Sequence, residues 1–322
     1  MYCEPFAQIA HAGRRLVAGC GAVVVLGSGL LLAAAPEDEP ANHCTLKPGP
    51  TATVVGVIDA ETVLLDDHRQ VRLVGALAPR SFDLRPGAKP WPPEDRAAAA
   101  LAELVTGRAV ELAYGKRRTD RYGRLLAHLF IERDGERVWV QGRLLSMGQA
   151  RAYGLPGSFE CLAELMAHER AAREARVGLW SLGTYAPRSA EQSRALLRLR
   201  NSYTIVKGRI AHVAPTKART YLNFGTDWRS DFTAGIEARA LRDNPQWAQT
   251  LAAMEGKEVE VRGWIVYRNG PYIDIEHPGQ IEIIEPGMRP PISRGPQLST
   301  DKPSRTPKRK RPGREAPGAV DL

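Results

Sequence analysis

Runs in which apolar and polar residues alternate occupy much of residues 50–140 and predict β-strands. Residues 94–105 differ, because Ala, Leu and Glu with two leading acidic residues predict a helix. Residues 159–176 have the apolar spacing of a longer amphipathic helix. The predicted strands cover residues 52–58, 62–65, 70–74, 109–113 and 125–131, with a hairpin turn at Asp134-Gly135 returning through Val138. Five strands with helices on one side predict a small barrel with a helical cover.

A second pattern follows residues 187–200, which read as a basic linking helix. Its order is three strands, one helix and two strands, and the apolar residues alternate along the strands. The predicted elements are strands 202–214, 220–225 and 231–238, helix 245–254, and strands 257–267 and 272–276. This order predicts a second barrel of the OB type.

The two patterns place the chain in the α+β class, mainly β, with two barrels. A length of 322 residues agrees with about two domains. The predicted segments are a signal peptide or N-terminal membrane anchor (1–35), a linker (36–49), a first domain (50–182), a linker helix (183–200), a second domain (201–286) and a disordered tail rich in Pro and basic residues (287–322).

The N-terminal segment has the features of an export signal. Arg14 and Arg15 precede twenty uncharged residues, and the run ends in Ala33-Ala34-Ala35 before an acidic stretch. The small residues favour cleavage, whereas the length suffices to span a bilayer. Both outcomes remain open. The expected location is exported, either periplasmic or secreted, or anchored to the membrane through this segment.

The net charge of +9 is concentrated at the C-terminus. Residues 287–322 carry nine Lys and Arg against three Asp and Glu, whereas residues 36–285 have a net charge of only +2. The overall charge therefore says little about what the folded part binds.

Two of the four cysteines, Cys3 and Cys20, precede the predicted domains. The remaining pair, Cys44 and Cys161, brackets the first domain, and in an oxidising compartment such a pair is a disulfide candidate. Two separate buried thiols are the alternative. Neither a C-x-x-C spacing nor a His-rich cluster indicates a metal site.

Four sequence stretches of the first domain occur together in the order known from one enzyme family. They are Ile58-Asp59-Ala60-Glu61-Thr62, Val71-Arg72-Leu73-Val74-Gly75, Thr119-Asp120-Arg121-Tyr122-Gly123-Arg124, and residues 169–180 with their Gly178-Leu179-Trp180 ending. With these stretches the domain resembles the thermonuclease family, the staphylococcal-nuclease-like phosphodiesterases. The resemblance implies a five-stranded OB barrel with three helices and calcium-assisted hydrolysis of phosphodiesters.

The phosphate-binding positions of that family are retained. Arg72 and Arg124 match its two arginines, whose forked N–H donors suit phosphate oxygens. Arg121 and Tyr122 occupy positions where the family has a basic and an aromatic residue that touch the nucleotide. For Tyr122-Gly123 a simple turn between strands is the competing interpretation.

The carboxylates of the family are retained poorly. Glu61 stands where the family has its first acidic metal ligand, but Leu77 replaces the second ligand and Arg80 replaces the catalytic glutamate. Glu61 and Asp59 then remain as candidate calcium ligands, whereas calcium normally collects 6 to 8 oxygen atoms. Asp83 and Glu94 are the nearby carboxylates that we consider as substitutes.

The retained arginines favour an anion-binding site without acid–base groups. Arg80 adds a positive charge, as does a basic stretch in the predicted loop beside Arg124, formed by Lys116, Arg117, Arg118 and Arg121. A solvated turn explains this stretch equally well.

The second predicted barrel is rich in aromatic residues, and OB barrels bind single strands by stacking bases on exposed rings. Core packing is the default for most of them, with Trp228 and Tyr272 as the expected exceptions beside turns. His212 and His277 lack partners at metal-ligand spacing, so we assign them no metal role.

These observations lead to one functional hypothesis and two alternatives. The hypothesis is an exported thermonuclease-like protein that binds nucleic acid or another polyanion, with phosphodiesterase activity weak or absent. One alternative is an active calcium-dependent nuclease with a rearranged metal site that uses Glu61. The other is a cell-envelope interaction module without enzymatic activity.

Overall fold

The computed structural model describes residues 44–81 and 91–284, which belong to one compact unit, Asn42–Leu322. The predictions for the N-terminal signal or anchor, for Asp83 and for the basic tail lie outside the described residues. Within the described ranges, no helix is long and apolar enough to cross a membrane.

The first half of the described chain forms eight strands and three α-helices. They are β1 (Lys47–Asp59), β2 (Thr62–Leu65), β3 (Gln70–Leu73), β4 (Ala76–Leu77), α1 (Pro92–Val105), β5 (Ala109–Tyr114), β6 (Leu125–Arg133), β7 (Glu136–Trp139), α2 (Val140–Ser146), β8 (Arg151–Ala152) and α3 (Leu162–Ala175), followed by 3₁₀ turns at Gly178–Ser181 and Gly183–Tyr185.

Five of these strands close into a barrel. Strand β1 pairs antiparallel with both β2 and β5, β2 pairs with β3, and β5 pairs with β6. The parallel pairing of β3 with β6 completes the circle. Register shifts in β1, for example between Val54 and Gly56, bend this 13-residue strand so that it serves both sides of the barrel. This confirms the predicted barrel, including the three helices that the resemblance implies.

The barrel interior is filled by the alternating apolar residues that predict its strands. Val54, Val63, Val71, Leu112 and Leu129 are all fully buried in one core. Burial of such side chains stabilises the fold by roughly 1.5–3 kcal/mol each. The three helices close the core from outside, because their apolar sides, including residues of α1 and α3, belong to the same cluster.

The predicted pair of cysteines is bonded. Cys44 and Cys161 form a disulfide with their Cα atoms 4.6 Å apart, a separation typical of such bridges. Cys161 immediately precedes α3, and the backbone N–H of Cys44 donates to Glu164 in the first turn of that helix, at 2.9 Å. The segment that enters β1 is therefore attached covalently to α3.

We expect the double change Cys44→Ser with Cys161→Ser to lower the free energy of unfolding by about 4 kcal/mol, because the bridge closes a long loop of the unfolded chain. The sequence separation of the two cysteines is 117 residues. Urea unfolding of the two proteins, with and without reductant, measures the effect. Reductant should lower the stability of the wild type only, and equal stabilities would contradict the expectation.

His128 on β6 is buried without a polar partner. It is 1% exposed, and neither ring nitrogen has a hydrogen-bond partner among the described residues. Burial lowers its pKa to about 4, although Glu160 opposes the shift slightly. The folded protein therefore holds this imidazole neutral where an unfolded chain would protonate it.

Stability should accordingly fall in acid. Between pH 6.5 and about pH 4 the unfolded chain binds a proton at His128 that the folded protein does not, so unfolding is favoured as the pH falls, by up to about 3 kcal/mol. Denaturant unfolding at pH 7.5 and pH 5 should show this loss, and His128→Leu should reduce it. The residual loss belongs to His168 and His277, whose pKa values burial also lowers. An unchanged pH profile in His128→Leu would contradict the assignment.

The second half of the described chain forms nine strands and three α-helices. They are β9 (Arg188–Ser189), α4 (Ser193–Leu197), β10 (Tyr203–Arg209), β11 (His212–Pro215), β12 (Arg219–Asn223), β13 (Thr233–Glu237), α5 (Ala238–Asp243), α6 (Pro245–Ala252), β14 (Glu258–Trp264), β15 (Val266–Tyr267), β16 (Pro271–Ile275), a 3₁₀ turn at Pro278–Gln280 and β17 (Ile281–Ile283).

These strands close into a second barrel with the same connectivity. Strand β10 pairs with β14, its continuation β11 pairs with β12, and β12 pairs with β13. The parallel pairing of β13 with β16, and the pairing of β16 with β15, complete the circle. Helices α5 and α6 lie between the third and fourth strands of this barrel, as α1 does in the first. The predicted second OB-type barrel is thereby confirmed.

Two details differ from the sequence predictions. Where a helix is expected over residues 187–200, the structure has strand β9, which pairs with β10, and the five-residue helix α4. Hydrogen bonding of this segment to the edge of the second barrel outweighs its helix propensity.

Tyr272 is buried, with 1% of its surface accessible, because Gly235 on the neighbouring strand leaves space for its ring and Arg219 donates to its hydroxyl at 2.9 Å. The prediction of an exposed Tyr272 was wrong.

Helix α3 packs against the second barrel through buried ion pairs. Glu169 accepts from Arg262 of β14 at 3.0 Å, and both side chains are almost fully buried. Arg173, one turn further along α3, holds Glu260 of β14 with two bonds of 2.7 and 2.8 Å. Each of these charges thus has a buried counter-charge across the contact, as burial of ions requires.

A second contact joins β8 to β10. The hydroxyl of Tyr203 donates to the carbonyl of Ala152 at 3.1 Å, and Arg151 donates to the carbonyl of Tyr203 at 2.8 Å. Tyr203 lies 4% exposed in this contact. The two barrels therefore meet along α3 and β8 on one side and β10 and β14 on the other.

Candidate functional site

Glu61 lies at the turn between β1 and β2, and its carboxylate is surrounded by donors. It is 3% exposed. Its Oε1 accepts from the backbone N–H of Ala78 at 3.0 Å, and its Oε2 accepts from Arg80 at 2.8 Å and from Arg72 at 3.3 Å. The buried negative charge is thus paired with two guanidinium groups, as burial of a carboxylate requires.

Asp59 shapes this turn. Its Oδ1 accepts from the backbone N–H of Glu61 at 2.7 Å, which is the local hydrogen bond that Asp side chains make in turns. Asp59 is exposed, in contrast to Glu61. The structure therefore gives Asp59 a role in setting the direction of Glu61.

Arg72 and Arg124 come together because β3 and β6 are parallel neighbours. Arg72 pairs with Leu126, two residues after Arg124. Arg124 is held by Asp120, to which its Nε donates at 2.8 Å, and its other guanidinium end reaches Thr62 at 3.5 Å. Thr62 is also the cross-strand partner of Arg72. The two arginines predicted as phosphate clamps thus converge beside Glu61.

Asp120 organises the turn that carries Arg124. Its carboxylate accepts from the backbone N–H groups of Tyr122 and Arg124, at 2.9 and 3.0 Å. Burial alone would raise the pKa of Asp120, but the hydrogen bonds from the Arg124 side chain and from these two N–H groups lower it below its ordinary value. Asp120 is therefore ionised and keeps Arg124 oriented.

The described residues of this site do not fit a calcium ion. Leu77, at the position of the second ligand, is 2% exposed and contributes only carbon atoms. Both oxygens of Glu61 already accept hydrogen bonds, one of them from the Arg80 guanidinium, whose positive charge repels a cation. Among the described residues, no group of three or more His, Cys, Asp or Glu side chains is arranged to hold a metal. The side chains described at this site therefore do not supply the six or so oxygen ligands that a hard cation needs.

The other carboxylate that we consider as a substitute has a structural task. Glu94, in the first turn of α1, accepts from the backbone N–H of Ser81 at 3.0 Å. Glu94 therefore fixes the backbone at Ser81. The contacts described for Glu94 do not include Glu61.

The basic loop between β5 and β6 is exposed and internally ordered. Arg118 lies over the ring of Tyr114, with its guanidinium carbon 4.7 Å from the centroid. Arg117 donates to backbone carbonyls of Thr119 and Pro156, at 3.1 and 3.5 Å. Lys116 is exposed, and its backbone N–H donates to Glu160. The loop therefore leaves positive charge at the surface near Arg124.

Tyr122 presents its ring to solvent between two arginines. It is 68% exposed, and the guanidinium carbons of Arg121 and Arg124 lie 4.7 and 5.6 Å from its centroid. Exposed aromatic rings beside arginines are a usual platform for nucleobases.

A cleft of about 200 Å³ between the two barrels was not foreseen from the sequence. It brings together residues that are distant in the chain, so neither spacing nor alternation signals it. Its lining includes Tyr153, Tyr203, Trp264, Asp274, Glu276 and Gln280.

The remaining sequence predictions concern the second barrel. Trp228 is 51% exposed, which confirms its expected exposure, and Arg229 stacks on it. His212 pairs with Glu255 at the surface, and the ring of His277 stacks on Phe159 with centroids 4.6 Å apart.

Comparison with known proteins relates most of the first barrel and its helices to one protein family. Residues 70–182 match the family model described as "Staphylococcal nuclease homologue", and the match ends before the second barrel begins.

Two relatives match parts of the chain. It is 27% identical over 134 residues to a thermonuclease of Staphylococcus hyicus, a match that spans 41% of this chain and 76% of that protein. It is 42% identical over 62 residues to an uncharacterised protein of Methanocaldococcus jannaschii, over 19% of this chain and 29% of the relative. The chain thus contains a staphylococcal-nuclease-like domain.

Proposed function

We propose that the staphylococcal-nuclease-like domain of this chain binds nucleic acid or a similar phosphate-rich polymer, with phosphodiester hydrolysis weak or absent. Arg72 and Arg124 hold phosphate oxygens, and the exposed loop from Lys116 to Tyr122 extends the contact along the strand. The second barrel packs beside this surface through α3 and β8.

One observation carries the proposal. The carboxylate of Glu61 is bound by Arg72, Arg80 and the N–H of Ala78, so its charge serves to arrange guanidinium groups. A water molecule attacking phosphorus needs a base or a metal ion to activate it. The described side chains at this site offer arginines, which stabilise phosphate charge but accept no proton.

The charge balance at the site favours anions. Arg72, Arg80 and Arg124 face the two carboxylates of Glu61 and Asp120, and Arg121 and its basic neighbours add further positive charge. Guanidinium groups that are oriented in advance by carboxylates lose little freedom when they bind a phosphate. The exposed ring of Tyr122 adds a surface for base stacking.

We also propose that the protein works outside the cytoplasm. The disulfide between Cys44 and Cys161 supports this location, because such bridges persist mainly in oxidising compartments. The N-terminal segment also supports export, because two arginines precede a long apolar run that ends in small residues.

Salt-dependent binding to single-stranded DNA tests the proposal. We expect binding by the wild type to weaken steeply with salt. Arg72→Gln and Arg124→Gln should each lower affinity about tenfold and reduce the salt slope by about one. Arg133→Gln is the matched control, because Arg133 lies at the opposite end of β6 and pairs only loosely with Asp134, at 3.7 Å.

Two results would contradict the proposal. Absence of salt-dependent binding to DNA, RNA and polyphosphate would favour a cell-envelope module that binds proteins. Equal effects of Arg133→Gln and Arg124→Gln would show that binding follows total charge and does not use this site.

A further inference from the structure

The cleft between the barrels has aromatic walls contributed by both. Tyr153 of the first barrel meets Tyr203 and Trp264 of the second, with ring centroids 5.3 and 6.4 Å apart. Trp264 is 40% exposed, so part of its indole faces the opening. Partly exposed rings in a cleft provide a surface for a flat aromatic ligand.

The cleft adjoins the arginine site through the backbone. The N–H of Tyr153 donates to the carbonyl of Gly75 at 3.1 Å, and strand β8 just before it pairs with β4. The chain then runs from β4 directly to Ala78, which binds Glu61. Arg72 and Glu61 are also close enough to Tyr153 to affect the pKa of its hydroxyl, which burial raises. A strand whose phosphate lies on Arg72 can therefore reach the cleft with a neighbouring base.

The polar groups of the cleft select for hydrogen-bond donors. Gln280 already uses its amide, since it donates to the carbonyls of Arg262 and Asp274 and accepts from two backbone N–H groups. Asp274 is paired with Arg219. Glu276 differs, because among the described residues its carboxylate has neither a hydrogen bond nor an ion pair.

The surroundings of Glu276 make a donor-rich ligand favourable. Glu276 is exposed at the mouth of the cleft, and partial burial, followed by the nearby charges of Asp274 and Glu237, raises the pKa of its carboxyl group above the ordinary value. An ionised carboxylate only accepts hydrogen bonds. A ligand that donates to it replaces hydrogen bonds from water, whereas one that presents acceptors is repelled by the negative charge.

We propose that this cleft is a nucleobase subsite that prefers guanine over thymine or uracil in a single strand held by Arg72 and Arg124. The proposal rests on the proposed function and adds base selection to it. Guanine presents two adjacent donors, N1–H and the N2 amino group, to one carboxylate. Thymine and uracil present a single N3–H between two carbonyl oxygens, which Glu276 repels. Trp264 and Tyr153 stack on the base without distinguishing it.

Two nine-nucleotide strands test the proposal with the full chain: thymidine throughout, and the same strand with one central guanine. We expect fluorescence anisotropy to show about tenfold tighter binding of the guanine strand, the usual gain from one good two-bond base contact. Glu276→Gln should abolish the preference, by weakening binding of the guanine strand and by raising the affinity for the all-thymidine strand, whose carbonyl oxygens are no longer repelled. Glu136→Gln, which removes an exposed charge from β7, is the matched control and should keep the preference.

Trp264→Leu should weaken binding of both strands, whereas Trp228→Leu, an exposed tryptophan outside the cleft, should weaken neither to the same extent. Equal affinity of the two strands, or a guanine preference that survives Glu276→Gln, would overturn the base subsite. If the all-thymidine strand still binds in a manner that requires Arg72 and Arg124, the proposed function stands and only this inference fails. If neither strand nor polyphosphate binds, both fail.

Discussion

Purified protein incubated with calcium and either single-stranded or duplex DNA should leave the DNA intact. Hydrolysis needs a group that activates water and groups that stabilise the developing charge, and loss of each contribution typically costs about 10²- to 10³-fold in rate. Arg72 and Arg124 retain the second contribution. The first is missing at Leu77 and Arg80, where the structure has a buried apolar side chain and a guanidinium bound to Glu61.

Single and double substitutions separate these deficits. Leu77→Asp alone should not restore cleavage, because Arg80 remains bound to Glu61. The double change Leu77→Asp with Arg80→Glu is the smallest that we expect to raise calcium-dependent cleavage, by at least about 10²-fold over the unmodified protein. A time course of DNA cleavage with calcium or with chelator measures it. Fast calcium-dependent cleavage by the unmodified protein that Glu61→Gln abolishes would instead establish an active nuclease.

The second large effect concerns the ion pair between Glu169 and Arg262. Removing one partner leaves a buried charge without its counter-charge, so Glu169→Leu should lower the free energy of unfolding by about 3–5 kcal/mol. The double change Glu169→Leu with Arg262→Leu should cost less than this single change, since a buried ion pair often contributes little over an apolar pair. Urea unfolding of the single and double variants gives the coupling energy.

Arg170→Gln is the control for this experiment. Arg170 also pairs across the contact between barrels, with Glu282 at 2.8 Å, but both side chains are about 40% exposed. Its loss should cost less than about 1 kcal/mol. A similarly small effect of Glu169→Leu would show that the barrels do not depend on the buried pair.

The strands of both barrels could be predicted because their signal is local. Alternation of apolar residues identifies β2, β3, β12, β13 and β16 close to their observed bounds, whereas β10 with β11, and β14 with β15, are each predicted as one continuous strand. The barrel order follows from the order of elements. Helix α4 shows the limit of local reasoning. Basic residues with good helix propensity predict a long helix there, but the first of them, Arg188 and Ser189, pair with β10 as a strand, so the helix begins only at Ser193.

The candidate site likewise has features that the sequence shows and features that depend on the folded structure. Replacement of acidic residues at Leu77 and Arg80 is visible in the sequence, whereas the binding of Arg80 to Glu61 depends on how residues 75–80 fold back over the barrel. The cleft between the barrels depends on contacts between residues that are far apart in the sequence. Glu169 and Arg262 are 93 residues apart, and no periodic pattern relates them.

The bridge between Cys44 and Cys161 also determines what happens when the backbone is cut. A protease that cleaves anywhere between these two residues produces two pieces that remain one covalent molecule. Such a nicked molecule migrates undivided in a denaturing gel until a reductant separates it. A single cut in the first barrel would therefore release no fragment, and the two pieces would stay linked, which favours their refolding together.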